Sequence, residues 1–152
     1  MSEHLLNVGD SIPHVEITDS AGQHISSEQW ENHFLVLYFY PKDDTPGCTQ
    51  EACSFRDNLA QLTQQGALVI GVSPDGPTAH KKFKDKYSLN FHLIADENRE
   101  LCALFGVKKG IFGITRTTFL VDPKGIIRWI ERPVKVAGHV ERTLKALASL
   151  KK

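Results

Sequence analysis

The feature that most constrains the fold is an uninterrupted apolar and aromatic run at residues 34–40, Phe-Leu-Val-Leu-Tyr-Phe-Tyr. A strand that is apolar at every position must be covered on both faces, so it belongs at the centre of a layered α/β structure. The run ends in a turn rich in proline, aspartate and glycine at residues 41–47. After the turn, apolar residues recur at helical spacing through residues 49–64, and Gly66 closes that helix. The segment therefore predicts a central strand, a tight turn and a helix.

The remaining elements extend this unit into one mixed sheet. Short strands at 15–17 and 23–25 predict an N-terminal β-hairpin, and an Asp-Pro-Lys-Gly turn at 122–125 marks a second hairpin. The other predicted elements are strands at 67–72, 91–94, 117–121 and 126–130 and helices at 78–87, 98–105 and 139–150. This order predicts an α/β fold with a mixed central sheet and helices on both faces. A thioredoxin-like fold satisfies it, although connectivity by itself leaves other mixed sheets open.

Composition limits the class of protein and its partners. A chain of 152 residues with 41% hydrophobic and 24% charged residues predicts a single globular domain over residues 1–152. Zero net charge argues against nucleic acid and anionic membranes as partners, because both select basic surfaces. No apolar run approaches the ~20 residues of a membrane span, and the first ten residues lack the apolar core of a secretory signal. Three cysteines are unlike a disulfide scaffold, so we expect a reducing, cytoplasmic location.

Cys48 stands where the turn meets the helix, and Cys53 follows five residues later. Thr45 is suited to the N-cap position and Pro46 to the first helical position, where its missing N–H has no cost. Cys48 is thus predicted in the first helical turn, against unpaired N–H groups and the positive end of the helix dipole. Both favour the thiolate, which is the nucleophilic form of cysteine.

The helix terminus alone is too weak to activate Cys48. A cysteine becomes mostly thiolate at pH 7 when its pKa falls from ~8.5 to about 6, a change of roughly 3.4 kcal/mol. A helix terminus typically supplies about 0.3–1 kcal/mol and at best about 2 kcal/mol. Asp43, Asp44 and Glu51 are close in sequence and oppose the thiolate. The sequence therefore predicts that a cation from elsewhere in the fold lies near Cys48.

Three features carry a resemblance to a known family: the motif Pro41-x-x-x-Thr45-x-x-Cys48, the second cysteine Cys53, and a downstream run that begins at Arg116. On these residues the chain resembles the peroxiredoxins, and within them the bacterioferritin-comigratory or Q-type branch. The resemblance extends from residue 9 to the last helix. It implies a thioredoxin-like fold and the thiol-dependent reduction of H2O2 and organic hydroperoxides.

The resemblance also implies a role for each motif residue. The Cys48 thiolate attacks the peroxide and becomes a sulfenic acid, while Thr45 and Arg116 hold the peroxide and stabilise charge on the leaving oxygen. Arg116 would also be the missing cation, and Pro41 walls the pocket against water. Cys53 resolves the sulfenic acid as an intramolecular disulfide, which thioredoxin or a glutaredoxin-like dithiol reduces. The implied cycle uses no metal, haem or flavin, and its intramolecular disulfide favours a monomer.

The spacing of the two cysteines makes a separate prediction. In an ideal helix, residues five apart have Cα atoms roughly 8.7 Å apart, whereas a disulfide tolerates at most about 6.8 Å. If Cys48 and Cys53 are linked, the first turns of the helix must unwind. We therefore expect the segment to be helical when reduced and locally melted when oxidised.

The charged residues near the motif have alternative explanations. A tight turn at 122–125 would place Arg116 across from Glu131, where a cross-strand ion pair would account for it. On charge alone, Arg128 on the partner strand could equally be the cation that is predicted to lie near Cys48. Glu51 either tunes the cysteines or is a solvated residue of the helix.

Structural roles are open for other residues as well. Cys53 could be a packed small residue, and Thr45 a plain N-cap whose hydroxyl is shared between capping and substrate. Cys102 lies on an apolar helical stretch and is predicted to be buried and structural, with a backup thiol as the alternative. Residues 110–113 are predicted to form a mobile loop at the pocket edge. The histidines show no metal-ligand spacing, which argues against a zinc site; they are His4, His14, His24, His33, His80, His92 and His139.

Two other functions would use the same pair of cysteines. A general thiol–disulfide oxidoreductase usually carries Cys-x-x-Cys at this junction, whereas residues 48–51 are Cys-Thr-Gln-Glu. A redox-sensing or chaperone module would form the same disulfide without catalytic turnover.

Overall fold

The computed structural model describes residues 5–111 and 113–151. Its strands are β1 Glu16–Thr18, β2 His24–Ser26, β3 Phe34–Phe39, β4 Ala67–Ser73, β5 His92–Ala95, β6 Lys109–Gly110, β7 Gly113–Ile114, β8 Thr117–Val121 and β9 Ile127–Glu131. The helices are α1 Pro46–Gln64, α2 Pro77–Tyr87, α3 Glu100–Leu104 and α4 His139–Leu150, with a 3-10 turn at Ser27–Trp30. Within the described ranges, no helix has the length and apolar character needed to span a membrane.

A five-stranded sheet in the order β5-β4-β3-β8-β9 forms the centre of the fold. Strand β3 lies in the middle, parallel to β4 and antiparallel to β8, which confirms the prediction of a central strand. Strands β4 and β5 are also parallel, and β8 and β9 form the predicted second hairpin. Every residue of β3 after Phe34 is buried, as its continuous apolar sequence requires.

The side chains of β3 alternate between two cores, one on each face of the sheet. Leu35 and Phe39 pack in a core that α3 and the N-terminal hairpin of β1 and β2 complete. Val36 and Tyr38 pack in the other core, beneath α1, α2 and α4. Helices therefore cover both faces, and the predicted thioredoxin-like architecture with its N-terminal hairpin is confirmed.

An irregularity in the pairing of β8 with β9 overturns one predicted contact. The register shifts at residues 120–121, where a bulge adds Arg128 to β9. Glu131 consequently lies opposite Thr118, and its carboxylate accepts hydrogen bonds from an arginine of α4. The predicted ion pair between Arg116 and Glu131 is therefore wrong. The turn pairs Val121 with Ile127, one residue later than a tight turn would, and the bulge adds a second residue of offset.

Helix α3 is shorter than the predicted 98–105. Arg99 has a left-handed backbone with φ of 57°, so the helix begins at Glu100. The carboxylate of Asp96 accepts hydrogen bonds of 3.0 Å from the N–H groups of Leu101 and Cys102. Asp96 thereby caps the first turn, a local interaction that apolar spacing does not reveal.

Candidate active site

Cys48 lies in the first turn of α1, at the junction that the sequence predicted. The helix begins at Pro46, and Thr45 is its N-cap residue with extended backbone angles, φ −93° and ψ 157°. The Thr45 hydroxyl donates to the carbonyl of Lys42 at 3.1 Å instead of capping the helix. The predicted use of this hydroxyl as a cap is therefore wrong, and its oxygen can still accept a hydrogen bond. Cys48 carries a free thiol and is 1% exposed.

Arg116 reaches the start of α1 from the segment that precedes β8. A Cβ atom placed on Gly47 would lie only 2.8 Å from Nη2 of Arg116, so the guanidinium rests directly against the residue before Cys48. Only glycine leaves room for this close approach. Arg128, the other arginine that charge alone allowed, pairs with Asp122 at 3.2 Å. The fold thus brings the cation of Arg116, and not that of Arg128, to the helix start.

Glu51 lies one turn beyond Cys48 and is fully buried. Its side chain is 0% exposed, and Oε1 accepts a hydrogen bond of 3.1 Å from Nη1 of Arg116. Oε2 lies 3.0 Å from Nδ1 of His139, at the start of α4, without the alignment of a hydrogen bond. The interpretation of Glu51 as a solvated helix residue is therefore wrong. Glu51 offsets part of the charge that Arg116 presents to the site.

Pro41 lies at the opposite side of the turn, half-buried against the ribbon formed by β6 and β7. A Cβ atom placed on Gly113 would lie 3.1 Å from Cβ of Pro41, and Gly113 has a positive φ of 99°. Gly113 therefore lies beside the turn. The predicted mobility of residues 110–113 stays a prediction, and Phe112 falls outside the described residues. Ile111, at the tip of the ribbon, is 94% exposed.

A hydrogen-bond network that sequence reasoning missed anchors the turn between Pro41 and Thr45. Asp43 accepts hydrogen bonds of 2.6 Å from the hydroxyl of Tyr40 and 2.5 Å from Nδ1 of His80. His80 also contacts the carbonyl of Ile94 through Nε2 at 3.0 Å. Because both ring nitrogens face acceptors, both carry protons. Burial opposes this charge, but the hydrogen bond and charge of Asp43 outweigh it and raise the pKa of His80.

Asp43, Asp75 and His80 also place three potential metal-ligand atoms within 4.8 Å of one another. The backbone N–H of Asp43 donates to Asp75 at 2.8 Å, and Asp75 accepts a second hydrogen bond of 2.8 Å from Ser73. These polar groups therefore satisfy one another, and we interpret the cluster as an anchor for the turn. His80 is 37 residues from Asp43, so no local spacing could indicate the contact.

The electrostatic surroundings of Tyr38 show that the charged groups act on one small region. Burial, followed by the negative charges of Glu51 and Cys48, raises the pKa of the Tyr38 phenol, and Arg116 opposes the rise. Tyr38 lies beneath α1, with its ring stacked on that of Phe55 at a centroid distance of 4.7 Å. Cys48 belongs to the same core as Tyr38 and Phe55.

The other two cysteines have different environments. Cys53 is half-buried in α1 and carries a free thiol. Cys102 is buried, as predicted, and belongs to the core on the opposite face of the sheet from Cys48. Burial, together with the charge and hydrogen bond of Asp96, raises the pKa of the Cys102 thiol. Its position across the sheet argues against a backup role for Cys102 at this site.

The chain is similar to known proteins in both sequence and structure. Residues 8–130 match the model of the AhpC/TSA family. The chain is 39% identical over 152 residues to peroxiredoxin Bcp of Bacillus subtilis, covering 95% of this chain and 97% of that protein. It is 38% identical over 148 residues to the chloroplastic peroxiredoxin Q of Populus jackii, covering 95% of this chain and 70% of that protein.

Solved structures show the same similarity. A cysteine-to-serine mutant of Xylella fastidiosa PrxQ superposes with a TM-score of 0.90 at 36% identity, covering 99% of this chain and 100% of that chain. Peroxiredoxin Q of Xanthomonas campestris superposes with a TM-score of 0.84 at 37% identity, covering 91% and 92% of the two chains. This chain therefore resembles these peroxiredoxin Q structures in both sequence and backbone over nearly its whole length.

Proposed function

Because the chain belongs to the AhpC/TSA family and is a peroxiredoxin of the Bcp/PrxQ type, we propose that it reduces hydroperoxides through the thiolate of Cys48. The observation that carries this assignment is the position of the Arg116 guanidinium against Gly47, the residue before Cys48, at the start of α1. The half-buried hydroxyl of Thr45 and the ring of Pro41 border the same turn.

In the first step, the Cys48 thiolate attacks one oxygen of the hydroperoxide. The S–O bond forms as the O–O bond breaks, which gives a sulfenic acid and an alkoxide or hydroxide that takes up one proton. Arg116 and the Thr45 hydroxyl hold the two peroxide oxygens in line with the sulfur, and the guanidinium stabilises charge on the leaving oxygen. Pro41 excludes water from the sulfur.

Activation of the thiol combines two sources. The N-terminus of α1 supplies at best about 2 kcal/mol of the roughly 3.4 kcal/mol that a cysteine needs to be mostly thiolate at pH 7. Arg116 supplies the remainder. Since Glu51 shares the charge of Arg116, the position of this carboxylate controls how much of the guanidinium remains available to sulfur and peroxide.

In the second step, the Cys53 thiol attacks the sulfenic sulfur of Cys48 and releases water, which forms an intramolecular disulfide. An external dithiol, thioredoxin or a glutaredoxin-like protein, then exchanges with this disulfide and returns both thiols. In this proposed cycle, thiols carry all the electrons, and the cycle therefore needs no metal, haem or flavin.

The same reaction scheme supports proposals about the oligomeric state, the domain organisation and the location of the protein. An intramolecular disulfide needs no second subunit, so we propose an atypical two-cysteine enzyme that works as a monomer. Residues 1–152 would act as one domain, in a reducing compartment such as the cytoplasm, where a dithiol reductant is available.

A coupled assay of peroxide consumption with thioredoxin, thioredoxin reductase and NADPH tests the function. We expect turnover in the wild type and in Cys102→Ser, no reaction in Cys48→Ser, and a single turnover followed by a stall in Cys53→Ser. Insulin reduction without peroxide consumption would instead indicate a general thiol–disulfide oxidoreductase. Stoichiometric oxidation that thioredoxin cannot reverse would indicate a redox-sensing module.

A further inference from the structure

Several buried polar atoms on the side of the sheet that α1 covers have no hydrogen-bond partner. Among the described residues they belong to Tyr38, Glu51, Thr118 and His139. Tyr38 and Thr118 lie opposite each other on β3 and β8. The ring of Phe55 contacts both Tyr38, at a centroid distance of 4.7 Å, and His139, at 5.4 Å. Native proteins rarely leave such groups unsatisfied, so a cluster of them in one place calls for a functional explanation.

His139 is the member of this cluster that lies against Glu51. It is 1% exposed and begins helix α4. Its Nδ1 atom lies 3.0 Å from Oε2 of Glu51. A bare imidazole lone pair at this distance from a carboxylate oxygen would be repelled, so Nδ1 carries a proton. A hydrogen bond between these two atoms would satisfy both of them.

Glu51 connects this N–H group to Arg116. Its two carboxylate oxygens face opposite partners, because Oε1 accepts from Arg116 and Oε2 faces His139. A carboxylate with a donor at each oxygen has a fixed plane, whereas one with a single donor can rotate about its last bond. The orientation of the carboxylate in turn fixes the guanidinium, which rests against Gly47 with almost no free space.

We propose that His139 is a positioning residue of the peroxidase site, which acts through Glu51 to hold Arg116 against the start of α1. The chain of contacts runs from His139 Nδ1 to Glu51 Oε2, and from Glu51 Oε1 to Arg116 Nη1. This inference rests on the proposed function, since Arg116 matters only where a peroxide reacts at Cys48. His139 itself touches neither the sulfur nor the peroxide in this scheme.

The test uses the full chain with Cys53→Ser and Cys102→Ser, so that Cys48 is the single thiol. Stopped-flow measurement gives the rate of Cys48 with H2O2, and alkylation by iodoacetamide at pH 9 gives the rate with a reagent that needs no guanidinium. We expect His139→Leu to slow the peroxide reaction about tenfold, the lower end of the effect of removing a group that orients a functional side chain. The alkylation rate should change less than twofold.

Conservative variants separate positioning from packing. The amide nitrogen of Asn can take the place of Nδ1, so His139→Asn should recover the peroxide rate to within about threefold of the parent. His139→Gln places its amide one bond farther out and should behave like the leucine variant. The comparison of the Asn and Gln variants separates positioning from packing even if His139→Leu does not fold.

Thr143→Val is the matched control, because Thr143 is buried on the same helix and its hydroxyl donates to the carbonyl of His139 at 2.9 Å. It should leave the ratio of peroxide to alkylation rates unchanged. The proposal is overturned if His139→Leu retains the peroxide rate, if the Asn and Gln variants are equal, or if Thr143→Val shows the same loss. A parent protein whose Cys48 does not react with peroxide would instead refute the proposed function.

Discussion

Oxidation of the cysteine pair should unwind the first two turns of α1. Cys48 and Cys53 lie on one continuous helix, so their Cα atoms are roughly 8.7 Å apart, about 1.9 Å more than a disulfide allows. Side-chain rotation cannot close this gap, because the limit applies to the Cα atoms. Backbone hydrogen bonds of the segment must break, among them the 2.8 Å bond from the N–H of Thr49 to the carbonyl of Thr45.

Unwinding also removes buried contacts. Cys48 and Ala52, each 1% exposed, leave the core, and Glu51 separates from Arg116. Breaking a buried ion pair by removing one partner costs about 3–5 kcal/mol. A local loss of about 3 kcal/mol corresponds to a more than hundredfold fall in amide protection, since each 1.4 kcal/mol is a factor of ten.

Hydrogen–deuterium exchange with mass spectrometry measures this loss directly. Protein oxidised by one equivalent of H2O2 should exchange more than a hundredfold faster than reduced protein across residues 45–55, by the same conversion. Residues 100–104 of α3, on the opposite face of the sheet, provide an internal reference that should change little. Peroxide-treated Cys53→Ser, which forms no intramolecular disulfide, should keep its protection. Unchanged protection over residues 45–55, in protein whose Cys48–Cys53 link is verified by mass, would refute the reasoning.

Three further changes probe the site. Gly47→Ala should lower the peroxide rate of Cys48 by about tenfold to a hundredfold in stopped-flow assays, because the new Cβ displaces Arg116. Urea unfolding should show a loss of stability as well, because the displaced guanidinium leaves the buried carboxylate of Glu51 without its partner; wild-type stability with a normal peroxide rate would contradict this. Glu51→Ala should cost about 3–5 kcal/mol in urea unfolding, because it leaves Arg116 without its buried partner; a loss below about 1 kcal/mol would contradict the pairing. His80 has a raised pKa in the folded state, so its stabilisation is present below the ordinary value near 6.5 and is lost as pH rises through the folded value. Wild type should therefore exceed His80→Gln in unfolding free energy by more at pH 5.5 than at pH 9; a constant or increasing difference would contradict the sign.

The strand–turn–helix unit could be predicted from sequence because its signals are local. The apolar run of β3, Pro46 at the first helical position and the glycine that closes α1 each act within a few residues. The same holds for α4, whose bounds at His139–Leu150 match the prediction. The central position of β3 in the sheet and the placement of Cys48 at the start of α1 follow from these elements.

The contacts that shape the site depend on information that sequence patterns do not carry. A longer turn and a bulge in β9 together place Glu131 away from Arg116, and no sequence signal distinguishes this ladder from a regular one. Glu51 was ambiguous because a helix position gives no orientation until the neighbouring elements are known. Its partners Arg116 and His139 are 65 and 88 residues away in the chain. Tertiary structure alone brings such charges together.

Peptide mass mapping after one equivalent of H2O2, with remaining thiols alkylated at the quench, tests the central claim most directly. The proposed mechanism predicts a linked peptide containing Cys48 and Cys53, with Cys102 alkylated. Alkylation of Cys48, or oxidation of Cys102 in its place, would contradict the assignment of Cys48 as the peroxidatic thiol.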